Sequence, residues 1–366
     1  MREFSLWTLR VLIASALILS AGCKRRGEPS APNEKLPPPE PAGLIAELPS
    51  DISTLRFPTA QTNLLGTNLA AVFMPTASGN PESGLYGSVR SGLLGNKVMP
   101  RFHEGIDIAP LMRDRNGRPL DEVFAAANGR VAMIHRTAGN SDYGIYVVLE
   151  HHDPIGTFYT LYAHLASVDS GLREGEIVAA GTRLGIMGNT ALSPIPISRA
   201  HLHFEIGLIA NSRFLSWPGL PKKNMPGGLY NGLNLYGLDP IPIFRDALET
   251  GGEMSLRDHI RRVPVAFEII AYAPTLPDYF RRYPALWAGP PDHEGPVVIA
   301  AQEGGVVLSG RPATPEESAL LRKAGARVLR VNEKVLGRNG RRIVIRRGDG
   351  WVLGPNGESW LSLLLH

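Results

Sequence analysis

Between about residues 51 and 245 the chain is a succession of short runs in which apolar and polar residues alternate with a period of two. Glycines and Asn-Gly steps separate these runs, and no long amphipathic helix pattern interrupts them. Such a pattern predicts a mainly β core, built as an antiparallel sandwich or half-open barrel. The clearest predicted strands are residues 123–126, 130–134, 145–150, 158–164, 183–187 and 202–206.

The pattern changes after a Gly-, Pro- and Asn-rich crossing at 218–242. Thr314-Pro315-Glu316-Glu317 predicts a capped helix start, since Thr314 and Glu317 can bond across the first turn, and the helix should run to about Lys323. Strand-like runs follow at 327–331, 342–345 and 351–353. We therefore predict a core domain at 51–247 and a separately organised α+β domain of unknown role at 254–366.

The length of 366 residues suits two modest domains and an export segment. A composition of 43% hydrophobic and 20% charged residues is that of an ordinary folded protein and excludes a multi-span membrane protein. The net charge of +4 suits an anionic surface without requiring nucleic acid. The sequence has no zinc-finger cysteines, phosphate-binding loop or RNA-binding aromatic motif, so no nucleic-acid or nucleotide partner is expected.

The N-terminus has the pattern of a secretory signal peptide at residues 1–22. Arg2 and Arg10 precede an apolar run at 11–19, which is shorter than the ~20 residues that a membrane span needs. Ala21-Gly22-Cys23 resembles the bacterial lipoprotein box, which implies that Cys23 is lipidated and anchors an exported protein in the cell envelope, facing the periplasm or wall. A plain secreted protein with a free thiol in its signal is the alternative.

The segment at 23–50 is rich in proline and poor in large apolar residues, so it cannot build a core. An extended polyproline chain of this length, at ~3.1 Å per residue, would reach on the order of 80 Å. The sequence therefore predicts a tether between the lipid anchor and the folded domains. The basic residues 24–26 would contact lipid headgroups or simply be solvated.

Two pairs of polar residues stand out in the predicted core. His103 and Asp107 are four apart, but Gly105 and the flanking isoleucines favour a strand or tight loop over a helix. In His201-Leu202-His203-Phe204-Glu205-Ile206, residues two apart point to one face of a strand. His201 and His203 should therefore project into one site, where two buried imidazoles require partners.

A further histidine, His164, ends the apolar strand Leu161-Tyr162-Ala163-His164-Leu165. Together these motifs resemble the lysostaphin/LytM-type zinc endopeptidases, whose pattern is His-x-x-x-Asp, Tyr-x-His-Leu and His-x-His-Phe-Glu. The match covers about residues 102–206. The resemblance implies the family's duplicated hybrid motif β-sandwich and one zinc ion per chain held by His103, Asp107 and His203. It also implies catalytic roles for His164 and His201, beside the open coordination position.

The resemblance implies a metallo-endopeptidase that hydrolyses peptide cross-links of bacterial peptidoglycan, with the stem peptides as substrate. A zinc ion with three protein ligands and one open position lowers the pKa of bound water toward ~7, which suits hydrolysis at neutral pH. The alternative is a non-enzymatic LytM-like module that binds peptidoglycan or activates an amidase. An enzyme held inactive by its own N-terminal segment or C-terminal domain is a third interpretation. The complete set of five residues favours the enzyme.

Two segments depart from the family pattern and should change the rim of the cleft. Residues 191–200 form a longer, proline-containing loop before His201, and residues 111–121 are an insertion whose Asn116-Gly117 step predicts a hairpin. Glu104 should point away from the metal by alternation. The histidines without ligand spacing are predicted to be surface or hydrogen-bonded residues: His135, His151, His152, His259, His293 and His366.

Overall fold

The computed structural model describes residues 49–94, 97–193, 195–221, 226–321 and 325–366, with the side chains of 91–94 and 97–100 left aside. The predicted signal peptide, Cys23 and nearly all of the tether lie outside these residues. The described residues belong to one compact unit. None of their helices is long and apolar enough to cross a membrane.

Strands dominate the first two thirds of the described chain. In chain order they are β1 (Val89–Leu94), β2 (Lys97–Phe102), β3 (Ile106–Ile108), β4 (Glu122–Phe124), β5 (Gly129–His135), β6 (Ile145–Asp153), β7 (Gly156–Leu165), β8 (Ser167–Val168), β9 (Ile177–Val178), β10 (Arg183–Ile186), β11 (Leu202–Ile209), β12 (Leu235–Leu238), β13 (Phe267–Ala273), β14 (Gly295–Ala301), β15 (Val307–Pro312), β16 (Ala326–Val331), β17 (Val344–Arg347) and β18 (Gly350–Leu353).

The helices are short and lie mostly in the last third of the chain. The α-helices are α1 (Leu69–Val72), α2 (Pro240–Glu249), α3 (Leu256–Arg262), α4 (Asp278–Arg282), α5 (Pro315–Ser318), α6 (Glu333–Leu336) and α7 (Pro355–Leu364). Single 3-10 turns occur at Asp51–Thr54, Pro81–Gly84, Ile197–Arg199, Phe214–Ser216, Gly228–Tyr230 and Pro284–Leu286.

The core consists of a large sheet and a small one. The large sheet has the order β12-β11-β7-β6-β5-β9, with β3 also paired to β11, and the small sheet has the order β4-β10-β8. All of their ladders are antiparallel. Val123 and Leu184 from the small sheet share a buried cluster with Val147 and Phe204 from the large one. The prediction of a mainly β, antiparallel core is confirmed, and each of the six predicted strands is present.

The C-terminal region, residues 254–366, combines helices with a second antiparallel sheet. Its strand order is β15-β14-β13-β16, and β17 and β18 form a separate hairpin. The predicted capping box at Thr314 and Glu317 is present at the start of α5. The helix ends at Ser318, before the predicted Lys323, because the amides of Leu320 and Leu321 bond to carbonyls three residues back in a tighter turn. Lys323 itself lies outside the described residues.

The C-terminal region packs directly on the β core. One cluster of buried apolar side chains runs from Ile52 to Leu364. The Tyr283 hydroxyl accepts a hydrogen bond from the Ile209 amide at 2.8 Å, and the Asn211 side chain donates to the Leu363 carbonyl at 2.8 Å. The domain boundary between 247 and 254 stays a prediction, and an apolar core spans it.

Asp153 is the buried polar residue that joins the two regions. Its side chain is fully buried at the end of β6. It accepts hydrogen bonds from the Leu256 amide at 2.7 Å and the Arg257 amide at 3.1 Å in the first turn of α3, and from the Ile155 amide at 2.9 Å. The Ser50 hydroxyl also donates to it. One carboxylate therefore holds the start of the core, a hairpin turn and a helix start together.

We predict that Asp153→Ala lowers the free energy of unfolding by about 2–4 kcal/mol, because it leaves buried amides without an acceptor. Urea unfolding of the whole chain measures the change. Asp292→Ala, at an exposed position of the same region, is the matched control and should change the free energy by less than about 0.5 kcal/mol. Equal stability of the two variants would show that Asp153 does not join the regions.

Candidate metal centre

Strand pairing brings the predicted ligand residues together. Asp107 on β3 and His203 on β11 are cross-strand partners. His103 is four residues before Asp107, and its amide donates to the Ser88 carbonyl at 3.0 Å. Gly105, between the two, lies so close to β11 that a Cβ atom there would be 2.3 Å from the Phe204 carbonyl oxygen. Only glycine permits this approach, which seats His103 beside the strand pair.

Three side-chain atoms converge at this point. His103 Nε2 is 3.0 Å from Asp107 Oδ1 and 3.1 Å from His203 Nδ1, and the latter two atoms are 2.9 Å apart. Atoms bound to one tetrahedral zinc ion at about 2.0–2.1 Å lie roughly 3.3 Å apart, so this spacing fits a metal ion after small shifts. Two imidazole nitrogens and one carboxylate oxygen are also a donor set that zinc accepts. The buried group can therefore hold a metal ion.

Each of these three side chains has a partner for its other polar atom. His103 Nδ1 donates to the Leu85 carbonyl at 2.8 Å, and His203 Nε2 donates to Glu205 Oε1 at 2.7 Å. Arg90 donates to Asp107 Oδ2 at 2.7 Å. These partners fix which nitrogen of each imidazole faces the centre, and this nitrogen is the one left to bind a metal ion. The centre is arranged for a cation before one binds.

Glu205 is the most enclosed of these partners, with 1% of its surface exposed. Besides His203, it accepts hydrogen bonds from the hydroxyls of Tyr143 and Tyr159, both at 2.8 Å. Burial and the Glu205 charge raise the pKa of Tyr143 well above its usual value, so this phenol stays a donor. Burial opposes a charge on His203, but Asp107 and Glu205 outweigh it and raise its pKa to about 9. The metal-free imidazole is thus protonated at neutral pH, and metal binding must release that proton.

His164 and His201 complete the cluster. His164 Nδ1 donates to the Thr190 carbonyl at 2.8 Å and His201 Nδ1 donates to the Arg199 carbonyl at 2.7 Å, which leaves Nε2 free in both. The two rings are 4.8 Å apart, and His201 Nε2 lies 3.5 Å from Asp107 Oδ1. Burial lowers the pKa of both residues, well below the usual value for His164. Both rings are therefore neutral near pH 7 and can accept a proton.

Residues 101–213 match the model of peptidase family M23. This part of the chain is therefore similar to the M23 peptidases. The match spans all five clustered residues and confirms the resemblance to the lysostaphin/LytM-type peptidases. No curated protein matches the chain.

Several solved structures are similar to parts of this chain. The catalytic domain of the antimicrobial peptidase lysostaphin from Staphylococcus simulans is 24% identical over 33% of this chain and 75% of that chain, with a TM-score of 0.25. A putative glycyl-glycine endopeptidase lytM from Ruminococcus gnavus is 25% identical over 40% and 47%, with a TM-score of 0.27. A zinc containing peptidase from Vibrio cholerae is 21% identical over 37% and 35%, with a TM-score of 0.23.

His164 has a left-handed backbone at the end of β7, with φ of 61°. Such a conformation costs a non-glycine residue roughly 1–2 kcal/mol. His164 lies near a register shift between Ile145 and Val147 on the neighbouring strand β6. Gly188 lies against the same corner, where a Cβ atom would be 2.3 Å from the Ala166 amide nitrogen. With this backbone the His164 ring leaves the alternating strand pattern, and its centre lies 4.8 Å from that of the His201 ring.

The two departures from the family pattern lie against each other at the rim of the cluster. Residues 111–121 form the predicted hairpin, in which Arg113 bridges to Pro119 and Gly117 has φ of 78°. Arg113 donates to carbonyls of the loop that precedes His201, and one carbonyl in that loop orients the His201 ring. Its acceptors are Ile197 at 2.8 Å, Ser198 at 3.2 Å and Ala200 at 3.3 Å. The insertion thus holds the longer loop in place.

The sequence did not predict the residues that hold the five clustered side chains in place. Glu205 could have been predicted, since alternation places it on the same strand face as His203. Arg90, Leu85 and Arg113 carry no local pattern that points to the centre, because they reach it through hairpins and loop packing. The structure pairs Glu104 with Arg341 of the C-terminal region.

We predict that Glu205→Gln weakens zinc binding about 10- to 100-fold, because the neutral amide no longer raises the basicity of His203. Competition with a chromophoric chelator measures the dissociation constant. Glu150→Gln is the matched control: Glu150 is also buried on the large sheet, but it accepts from Tyr230 at 2.6 Å and pairs with Arg130. Equal weakening in both variants would attribute the effect to general destabilisation.

Proposed function

We propose that this protein is a zinc-dependent endopeptidase that hydrolyses the peptide cross-links of bacterial peptidoglycan. The observation that carries the proposal is the convergence of three ligand atoms and two free imidazole nitrogens inside a domain that matches peptidase family M23. A non-catalytic module would have no need for neutral histidines beside a complete donor set. We assign the metal to His103, Asp107 and His203, and proton transfer to His164 and His201.

When bound, zinc would supply a Lewis acid and lower the pKa of a water molecule. The residues of this chain do the rest. His103 Nε2, Asp107 Oδ1 and His203 Nδ1 would hold the ion, and their hydrogen-bonded partners keep these atoms in place.

His164 and His201 are neutral in the metal-free protein, so one free Nε2 atom can accept a proton from the attacking water. The imidazolium that forms can return the proton to the leaving amine. Before that transfer, the Nε2–H of the imidazolium can donate a hydrogen bond to the oxygen that becomes negatively charged in the tetrahedral intermediate. Carbonyl acceptors at Nδ1 hold both rings in the tautomer that these tasks require.

We predict that metal content and rate separate among the five residues. His203→Ala and Asp107→Ala should lose zinc, whereas His164→Ala and His201→Ala should keep it and cleave on the order of 10² to 10⁴ times more slowly. Zinc stoichiometry and the masses of products from purified peptidoglycan are measured side by side, before and after chelation.

Loss of cross-linked dimers with the wild type, abolished by chelation and restored by zinc, is the expected result. If the wild type binds zinc and leaves the cross-links intact, the endopeptidase proposal is wrong. If the His164 and His201 variants lose zinc as readily as the ligand variants, or cleave at the wild-type rate, only the division of roles is wrong.

We further propose that residues 1–22 direct export and that Cys23 carries a lipid anchor. The motive is the position of Cys23 directly after Ala21-Gly22 at the end of a short apolar run. A fatty-acid analogue fed to producing cells should label the wild type and leave Cys23→Ser unlabelled, with both present in the envelope fraction before washing. Labelling of both, or of neither, would contradict the anchor.

A further inference from the structure

Glu104 links the metal centre to the C-terminal region. It follows His103 directly in the chain, and its side chain forms an ion pair with Arg341. The Glu104 and Arg341 side chains are only 14% and 20% exposed. The Arg341 guanidinium also lies 5.5 Å from the centre of the Tyr236 ring, on strand β12 of the large sheet. Arg341, from the last third of the chain, thus contacts the segment that contains the candidate metal ligand His103.

A second contact reaches the other partner of His103. The Leu85 carbonyl accepts from His103 Nδ1, and the next residue, Tyr86, lies against the C-terminal region. Gln302 donates to the Tyr86 hydroxyl at 2.6 Å, and this hydroxyl donates to the Gly237 carbonyl at 2.9 Å. Two neighbours of His103 therefore contact residues beyond 300: Glu104 contacts Arg341, and Tyr86, next to the carbonyl that accepts from His103, contacts Gln302.

Close packing reinforces this arrangement. The Tyr86 and Phe102 rings meet edge to face, 5.3 Å apart. A Cβ atom at Gly304 would lie 2.8 Å from the Phe102 ring and 2.8 Å from the Tyr86 hydroxyl oxygen. Phe102 precedes His103, so the segment before the ligand cannot move away from the C-terminal region without opening a packed contact.

The ion pair is costly to break. Burial lowers the pKa of Arg341 to about 10. Because this value is still well above 7, the guanidinium keeps its charge at neutral pH. A buried charge that loses its partner is strongly destabilising, whereas an exposed pair contributes little. Glu104 is therefore restrained in direction, and with it the peptide that leads from His103 to Gly105.

We propose that the C-terminal region is a positioning element of the metal centre, in which Arg341 acts through Glu104 to hold His103 Nε2 toward Asp107 and His203. Arg341 does not contact the metal group; it restrains the residue beside a ligand. The inference depends on the metal site of the proposed function, and it gives the C-terminal region a role in that site.

The test measures zinc affinity and thermal stability of the metal-free whole chain for the same variants. Arg341→Met and Glu104→Gln should each weaken zinc binding by about tenfold or more, the usual effect of losing a residue that supports a ligand. The double variant should be no weaker than the worse single variant, because both changes remove one interaction. Arg341→Lys, which keeps the charge, should recover part of the affinity.

Arg346→Met is the matched control, since Arg346 lies in the same region and its pair with Glu333 is exposed, with both side chains about 60% accessible. It should bind zinc as the wild type does. If Arg341→Met does not fold, Glu104→Gln, which keeps the side-chain shape, decides the question on its own.

Two results would overturn the inference while the proposed function stands: wild-type zinc affinity in Arg341→Met and Glu104→Gln with only a lower melting temperature, or losses that add in the double variant. A wild-type chain that binds no zinc would overturn the proposed metal site, and the positioning role with it.

Discussion

The cross-strand pairing of Asp107 with His203 is the contact on which the candidate site depends. Backbone hydrogen bonds of an antiparallel ladder fix the two side chains opposite each other on one face, without the entropy cost of ordering a loop. The other functional side chains approach this pair from less regular segments, and a different local feature positions each of them. Gly105 permits close approach, a left-handed residue turns His164, and the Arg113 hairpin holds the loop before His201.

Much of the core could be predicted from the sequence, since alternation survives wherever one strand face is buried and the other is less so. The strands β13, β14 and β15 gave no such pattern. Five of the seven β13 positions are buried, and the buried residues on its two faces belong to different clusters. Helix α2 begins with a capping aspartate, Asp239, and a proline, Pro240. It was not predicted because the segment before it is rich in glycine, proline and asparagine, which indicates a loop.

The five clustered residues could be found from sequence because their order and spacing match a family pattern. Their geometry could not, because the atoms that fix each ring come from elsewhere. The Leu85 and Arg199 carbonyls are main-chain groups with no side-chain identity to recognise, and Arg90 reaches Asp107 from the first strand of another hairpin. Sequence therefore indicates which residues meet, whereas tertiary structure decides which nitrogen of each histidine faces the centre.

The hydrogen bond between Gln302 and Tyr86 joins residues 216 positions apart. Contacts between residues so far apart in sequence form late in folding, because closing the long intervening loop costs conformational entropy before the contact can stabilise the fold. The segment around His103 is thus completed by residues that lie about 200 positions further along the chain. A chain without the residues beyond 300 would keep all five clustered residues and still lack the contacts that hold the segment around His103.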